Sequence, residues 1–234
     1  MRLTILTVVT LTMSGCFGIP PTGEPLPAIE TVNGDRRNET VIIMLPGRGD
    51  RADTFIREGF EQLGAVHGFD TIAADAHFGY YMKRSLLPRL HEDIVLPARE
   101  AGYKNVWLLG ISMGGFGSLL YASENPDLID GVVLLAPYLG ERSSLEEIAA
   151  SGGLQNWDSN SSRMEDFEIG IWTWLRDAET PVILGYGEAD SMADGYRQVM
   201  SSVLEPSSIY TLEGGHKWTT WKPLWDRIAA ELEL

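Results

Sequence analysis

Ser112 stands in Gly110-Ile111-Ser112-Met113-Gly114, between the apolar run Val106-Trp107-Leu108-Leu109 and a helix-like segment over residues 116–124. A buried strand that turns sharply into a helix holds its middle residue in a strained conformation, and the residues two positions to either side must be small. Gly110 and Gly114 meet that need. The Ser112 hydroxyl is then expected at the apex of the turn, beside the positive end of the next helix. The competing reading is a plain strand-to-helix turn in which Ser112 only caps the helix. A base, an acid and a site for a developing oxyanion must come from elsewhere in the chain.

A serine hydroxyl is a poor nucleophile near neutrality until an imidazole takes its proton. The chain has four histidines, His67, His77, His91 and His216. His67 falls at the end of an amphipathic helix and His91 inside another, positions that suit packing or solvent. His216 lies in Glu213-Gly214-Gly215-His216-Lys217-Trp218, after the last strand and before the last helix, where a glycine pair lets the loop carry the ring over the sheet. It is the expected base.

The imidazole needs a carboxylate to fix its tautomer and stabilise the imidazolium. Gly185-Tyr186-Gly187-Glu188-Ala189-Asp190-Ser191 follows the next-to-last strand, and Asp190, deepest in that loop, is the first choice. Its alternative is a helix N-cap; Glu188 and then Asp194 are the other acids within reach. For the oxyanion, the amide of Met113 and an amide from Pro46-Gly47-Arg48-Gly49, Arg48 first and Gly49 next, are the expected donors. The glycines of that loop also suit a phosphate cradle, but the lysine and Ser/Thr pair of a P-loop are absent from it.

These residues must be positioned by a sheet. Residues 41–45, 70–74, 106–109, 131–136, 181–185 and 208–212 are apolar runs of strand length, and helical spacing lies between them, as at Ile56, Phe60, Leu63 and Val66. Six strands separated by helices specify an open parallel α/β sheet covered on both faces, with its chemistry at the carboxyl ends of the strands. Residues 86–100 read as helical with an interruption at Pro97, and residues from 221 onward read as a closing helix. Residues 138–177 are too long for a simple connection and carry Trp157, Trp172 and Trp174. They predict a small helical cap, over 145–150 and 164–176, whose underside lines a pocket. Tyr80, Tyr81, Tyr138, Trp157 and Trp174 are the expected substrate-contacting side chains.

Order along the chain, Ser112 then Asp190 then His216, each after a successive strand, resembles the α/β-hydrolase superfamily from about residue 41 to the end. The serine loop and its continuation through Phe116-Gly117 look most like esterase D-type carboxylesterases. The resemblance implies a Ser-His-Asp triad acting on a carboxylic ester; a thioesterase, peptidase or acyltransferase on the same triad, or a surface-tethered binding module without catalysis, are the alternatives. The chain departs from it in two places: Pro46 stands where many relatives have histidine, and fewer strands precede residue 41.

A net charge of -15 and a pI near 4.6 exclude a nucleic-acid surface and suit an acidic exterior. Met1-Arg2 followed by an apolar run over residues 3–13 reads as an export signal, too short to span a bilayer comfortably. Ser14-Gly15-Cys16 then resembles a bacterial lipobox, with Met13 where leucine is usual. The resemblance implies lipidation of Cys16 and attachment to a bacterial membrane facing the periplasm or cell exterior; an ordinary cleaved signal and a secreted soluble protein are the alternative. The expected organisation is a signal peptide over 1–15, the lipidated cysteine and a flexible proline-rich tether over 16–40, and one hydrolase domain over 41–234. With a single cysteine there is no intramolecular disulfide. No cofactor and no metal are expected; Asp75 and His77, two residues apart on a strand-end loop, read as a hydrogen-bonded pair shaping the pocket.

Overall fold

A computed structural model describes residues 19–35 and 37–232. The signal segment and Cys16 lie outside the described residues. Seven strands form one sheet: β1 (Ala28–Thr31), β2 (Thr40–Leu45), β3 (Asp70–Ala74), β4 (Asn105–Ile111), β5 (Gly131–Leu135), β6 (Val182–Gly187) and β7 (Ile209–Leu212), in the spatial order β1-β3-β2-β4-β5-β6-β7. The six from β2 to β7 are the expected parallel ones. All residues of β2, β3 and β5 are buried, as strands covered on both faces require. Every parallel crossover delivers its loop to the same end of the sheet.

The seventh strand corrects the expected tether. β1 falls within residues 16–40 and pairs antiparallel with β3, from Ala28 opposite Ala74 to Thr31 opposite Thr71. Its residues are mostly exposed, and prolines crowd the stretch before it, so no apolar run marks it in the sequence. The approach to β1 is also held. The Tyr80 hydroxyl donates to the Gly23 carbonyl at 3.0 Å and accepts from the Gly23 amide at 2.8 Å. The Leu26 amide donates to Asp93 at 2.7 Å, and the Asp75 amide to the Pro27 carbonyl at 2.8 Å. Residues 20–27 are a strap fastened to the domain.

The helices that cover the sheet include α1 (Ala52–Glu58), α2 (Gln62–His67), α3 (Phe78–Met82), α4 (Leu86–Leu90), α5 (Leu96–Glu100), α6 (Met113–Glu124), α7 (Arg142–Ala150), α8 (Asp166–Asp177), α9 (Ala193–Gln198) and α10 (Trp218–Glu231). Residues 86–100 stay helical, and a π turn over His91–Val95 joins α4 to α5. Pro97 would press its ring on the carbonyl four residues back and offers no amide, and the wider turn just before it absorbs both problems. The insertion is helical where expected, in α7 and α8, and is bound to the domain by Ile148, Leu154, Trp157, Ile171, Trp172 and Leu175, all buried.

Candidate active site

β4 ends at Ile111, and Ser112 takes φ 51° and ψ -114° before α6 begins. A non-glycine residue there costs about 1–3 kcal/mol and persists only where its surroundings fix it. Here they do: the Ser112 amide donates to the Leu135 carbonyl at 3.0 Å, and its own carbonyl accepts from Gly115, Phe116 and Tyr138. The turn closes only over bare backbone. A methyl group on Gly110 would meet the Gly114 carbonyl oxygen at 2.3 Å, and one on Gly114 would meet the Leu45 carbonyl oxygen at 2.0 Å.

The Ser112 hydroxyl caps nothing. It lies 2.9 Å from His216 Nε2, and His216 Nδ1 lies 2.8 Å from Asp190 Oδ2. The plain-cap reading of Ser112 therefore does not hold. Three loops, after β4, β6 and β7, bring the groups together across 104 and 26 residues of sequence. Asp190 is buried, and its other oxygen accepts from the Met192 amide at 2.9 Å, so the carboxylate is fixed at both ends. The Trp221 and His216 rings stand perpendicular to one another with centroids 4.9 Å apart. The alternative acids are spent elsewhere: Glu188 is exposed and accepts from Thr211 Oγ1 at 3.4 Å, and Asp194 pairs with Arg197 at 3.0 Å.

The loop after β2 turns beside the serine. The Asp50 amide donates to the Gly47 carbonyl at 3.1 Å, and Gly49 has φ 93°, a value that suits glycine. A methyl group on Gly47 would sit 3.6 Å from Ser112 Cβ, so this turn lies against the serine. Arg48 is exposed, with its guanidinium 4.7 Å from the centre of the Phe78 ring. Asp50, which carried no sequence signal, lies at the back of the turn; burial raises its pKa, opposed by the Trp218 indole and Arg57.

Of the aromatic residues expected to touch substrate, Tyr138 is at the site. Its amide donates to the Ser112 carbonyl at 2.8 Å, and it lines a cavity of about 280 Å³ together with Leu145, Met192 and Tyr196. Burial, followed by the neighbouring Glu141 carboxylate, pushes its phenol up to about 12. Tyr81 supports the site from behind, its hydroxyl donating to the Met113 carbonyl at 3.1 Å. The other three assignments are corrected. Tyr80 is fully buried under the strap. Trp157 is buried in the cap, its indole donating to Glu147 at 2.9 Å. Trp174 lines an open hollow of about 830 Å³ with Pro126 and Asp127, which follow the far end of α6.

The expected Asp75–His77 pair is bonded through the backbone alone, the His77 amide donating to the Asp75 carbonyl at 2.8 Å, while the two side chains go elsewhere. Asp75 binds Arg51 through both oxygens, at 2.7 and 2.5 Å, and accepts from the Ala52 amide at 3.2 Å. His77 instead caps α3, its Nδ1 accepting from the Gly79 amide at 3.1 Å. Sequence reasoning passed over Met192, which holds Asp190, and Glu168. The buried Glu168 carboxylate accepts from the Ser144 hydroxyl and the Glu141 amide, each at 3.2 Å, and so fixes the segment that carries Tyr138.

Comparison with known proteins places this geometry. The family model described as alpha/beta hydrolase fold matches residues 40–166, more than half of the 234. An uncharacterized protein of Bacillus subtilis, YjcH, is 25% identical over 147 residues, 62% of this chain; the match spans about half, 55%, of that relative's length. Among solved structures, Est1E from Butyrivibrio proteoclasticus with ferulic acid bound has a TM-score of 0.58 at 17% identity, covering 88% of this chain and 93% of that one. S-formylglutathione hydrolase from Staphylococcus aureus has a TM-score of 0.57 at 15% identity, covering 86% and 82%. A monoacylglycerol lipase from Paleococcus ferrophilus has a TM-score of 0.53 at 18% identity, covering 88% and 97%. These structural likenesses establish the shared fold.

Proposed function

Because the chain belongs to the alpha/beta hydrolase fold family, we propose that it is a serine hydrolase that cleaves carboxylic esters through an acyl-enzyme. The observation that carries this reading is the continuous run from the Ser112 hydroxyl through His216 to the buried Asp190, with contacts of 2.9 and 2.8 Å. As Ser112 Oγ bonds to the ester carbonyl carbon, its proton passes to His216 Nε2, and Asp190 stabilises the imidazolium through Nδ1. The carbonyl oxygen becomes an oxyanion, received by the Met113 amide and by an amide of the turn after β2, Arg48 first and Gly49 next. Collapse of the tetrahedral intermediate breaks the bond to the alcohol, which leaves with the proton from Nε2. Water then repeats the sequence on the acyl-enzyme: it loses a proton to Nε2 and releases the acid, and Ser112 recovers its proton.

The cavity of about 280 Å³ is lined by Tyr138 and Met192, whose amides donate to Ser112 and Asp190, and on this reading it receives a small acyl or alcohol group. Ester chemistry fits the printed names of the structural neighbours, which include a monoacylglycerol lipase and an S-formylglutathione hydrolase. Folded protein is expected to be labelled by a fluorophosphonate and to hydrolyse short p-nitrophenyl esters faster than long ones, and Ser112→Ala is expected to abolish both activities. Absence of labelling and turnover in folded wild-type protein would end the proposal.

We further propose that Cys16 is lipidated and holds the enzyme on a membrane outside the cytoplasm, on the strength of the lipobox-like Ser14-Gly15-Cys16 after an export-type segment. Cys16→Ser is expected to move the protein from the membrane to the soluble fraction of cells; unchanged partition would remove the anchor.

A further inference from the structure

The direction of β1 decides where the chain enters the domain. Because β1 runs antiparallel to β3, from Ala28 opposite Ala74 to Thr31 opposite Thr71, the preceding chain arrives at the carboxyl ends of the parallel strands. Ser112, Asp190 and His216 follow β4, β6 and β7 at that same end. The strap is then laid along α3. A methyl group on Gly79 would meet the Pro20 carbonyl oxygen at 2.4 Å, so the two backbones touch, and Lys83 Nζ donates to Thr22 Oγ1 at 3.1 Å. α3 also borders the site, through Tyr81 on Met113 and Phe78 beneath Arg48. The described chain therefore begins, at Ile19, on the rim of the active-site face.

Two features of that rim point to a partner. Ile19 is 51% exposed and Met82, at the end of α3, is 53% exposed, both large apolar side chains in water. Around them are the exposed basic residues Arg48, Lys83 and Arg84, in a chain with 33 acidic residues against 18 basic ones. Glu24 is the exposed acid of the strap. Across the site, by contrast, the exposed Phe167 is flanked by the exposed acids Glu165 and Asp166. A chain this acidic is repelled as a whole by an anionic surface, so only its locally basic, apolar edge can approach one.

Chain length gives the third constraint. Three residue steps separate Cys16 from Ile19, a reach of at most about 11 Å. An acyl group on Cys16 would hold a membrane within that reach of Ile19, beside the strap.

We propose that the strap and α3 edge of the active-site face docks on an anionic lipid bilayer, bringing the face that carries Ser112 to ester substrates held in that bilayer. The docking rests on the rim itself; the substrate class rests on the ester-hydrolase reading given above.

The experiment uses the full chain carrying Cys16→Ser, so that binding reads the protein face without a lipid, and vesicles of equimolar phosphatidylcholine and phosphatidylglycerol. Co-sedimentation is expected with these vesicles and not with phosphatidylcholine alone. It is expected to fall about tenfold in high salt and in a variant carrying Met82→Ser, Lys83→Glu and Arg84→Glu. Hydrolysis of soluble p-nitrophenyl butyrate by that variant should match the parent, which shows that it is folded. Failure of the parent to sediment with the anionic vesicles, or equal sedimentation of the variant, overturns the docking. In the lipidated chain, a flexible spacer inserted between Gly18 and Ile19 is expected to lower hydrolysis of a diacylglycerol in the same vesicles while leaving the soluble ester unaffected. Equal loss or no loss on both substrates overturns the orientation. Absence of hydrolysis of the soluble ester by the unaltered chain would instead remove the esterase reading, while sedimentation still reads the docking.

Discussion

At the scale of single residues, the acid beside His216 is decided by burial and reach. Asp190 and Glu188 lie two positions apart in one loop, yet Asp190 is buried against Nδ1 at 2.8 Å and Glu188 is exposed. Asp190→Asn is expected to lower kcat about 10³- to 10⁴-fold, because the imidazole loses its fixed tautomer and the charge that stabilises its protonated form. Glu188→Gln should leave kcat within about twofold, as an exposed group with a single 3.4 Å contact. Steady-state kinetics on one soluble ester distinguishes the two; collapse with Glu188→Gln and retention with Asp190→Asn would reverse the assignment. The serine and the histidine were legible because each sits in a short glycine-bearing loop directly after an apolar run. Asp50 and Met192 were not, since their places come from contacts with residues distant in the chain or from the fold of a loop.

At the scale of elements, the strap and α3 form one unit. His77 caps α3, its ring lies 4.8 Å from that of Tyr80, and Tyr80 holds Gly23. Burial, followed by the charge of Arg51, lowers the His77 pKa. The folded state therefore favours the neutral ring. The resulting stability is intact above the ordinary histidine value of about 6.5 and is lost as pH falls below it toward the lowered folded value. In His77→Asn the amide oxygen can still accept from Gly79 but does not titrate. The wild-type Tm is therefore expected to fall more than that of the variant between about pH 7.5 and about pH 5, as thermal melts would show. Parallel curves would remove His77 as the titrating group. This unit was missed in the sequence for a physical reason: an exposed edge strand needs no apolar alternation, and prolines resemble a linker when their partners are unseen. The interruption expected at Pro97 takes the form of a π turn, which keeps residues 86–100 helical on both sides of it.

At the scale of the whole molecule, one sheet collects at its carboxyl edge Ser112, His216 and Asp190 and also the point at which the chain joins the domain. The sequence by itself determined the six parallel strands, the tight turn at Ser112 and the histidine that stands beside it. Each is written in local pattern: continuous apolar runs, glycines where backbones must touch, a histidine after the last strand. Tertiary structure alone decided that Asp190 is the residue beside His216, that Tyr138 reaches the serine while Tyr80, Trp157 and Trp174 do not, and that residues 20–31 belong to the domain. Those outcomes depend on which distant backbones and side chains meet, as when Tyr80 clasps Gly23 across 57 residues or His216 reaches Ser112 across 104. No local periodicity encodes such meetings, because their free energy comes from burial and hydrogen bonds that exist only after the sheet has closed around them.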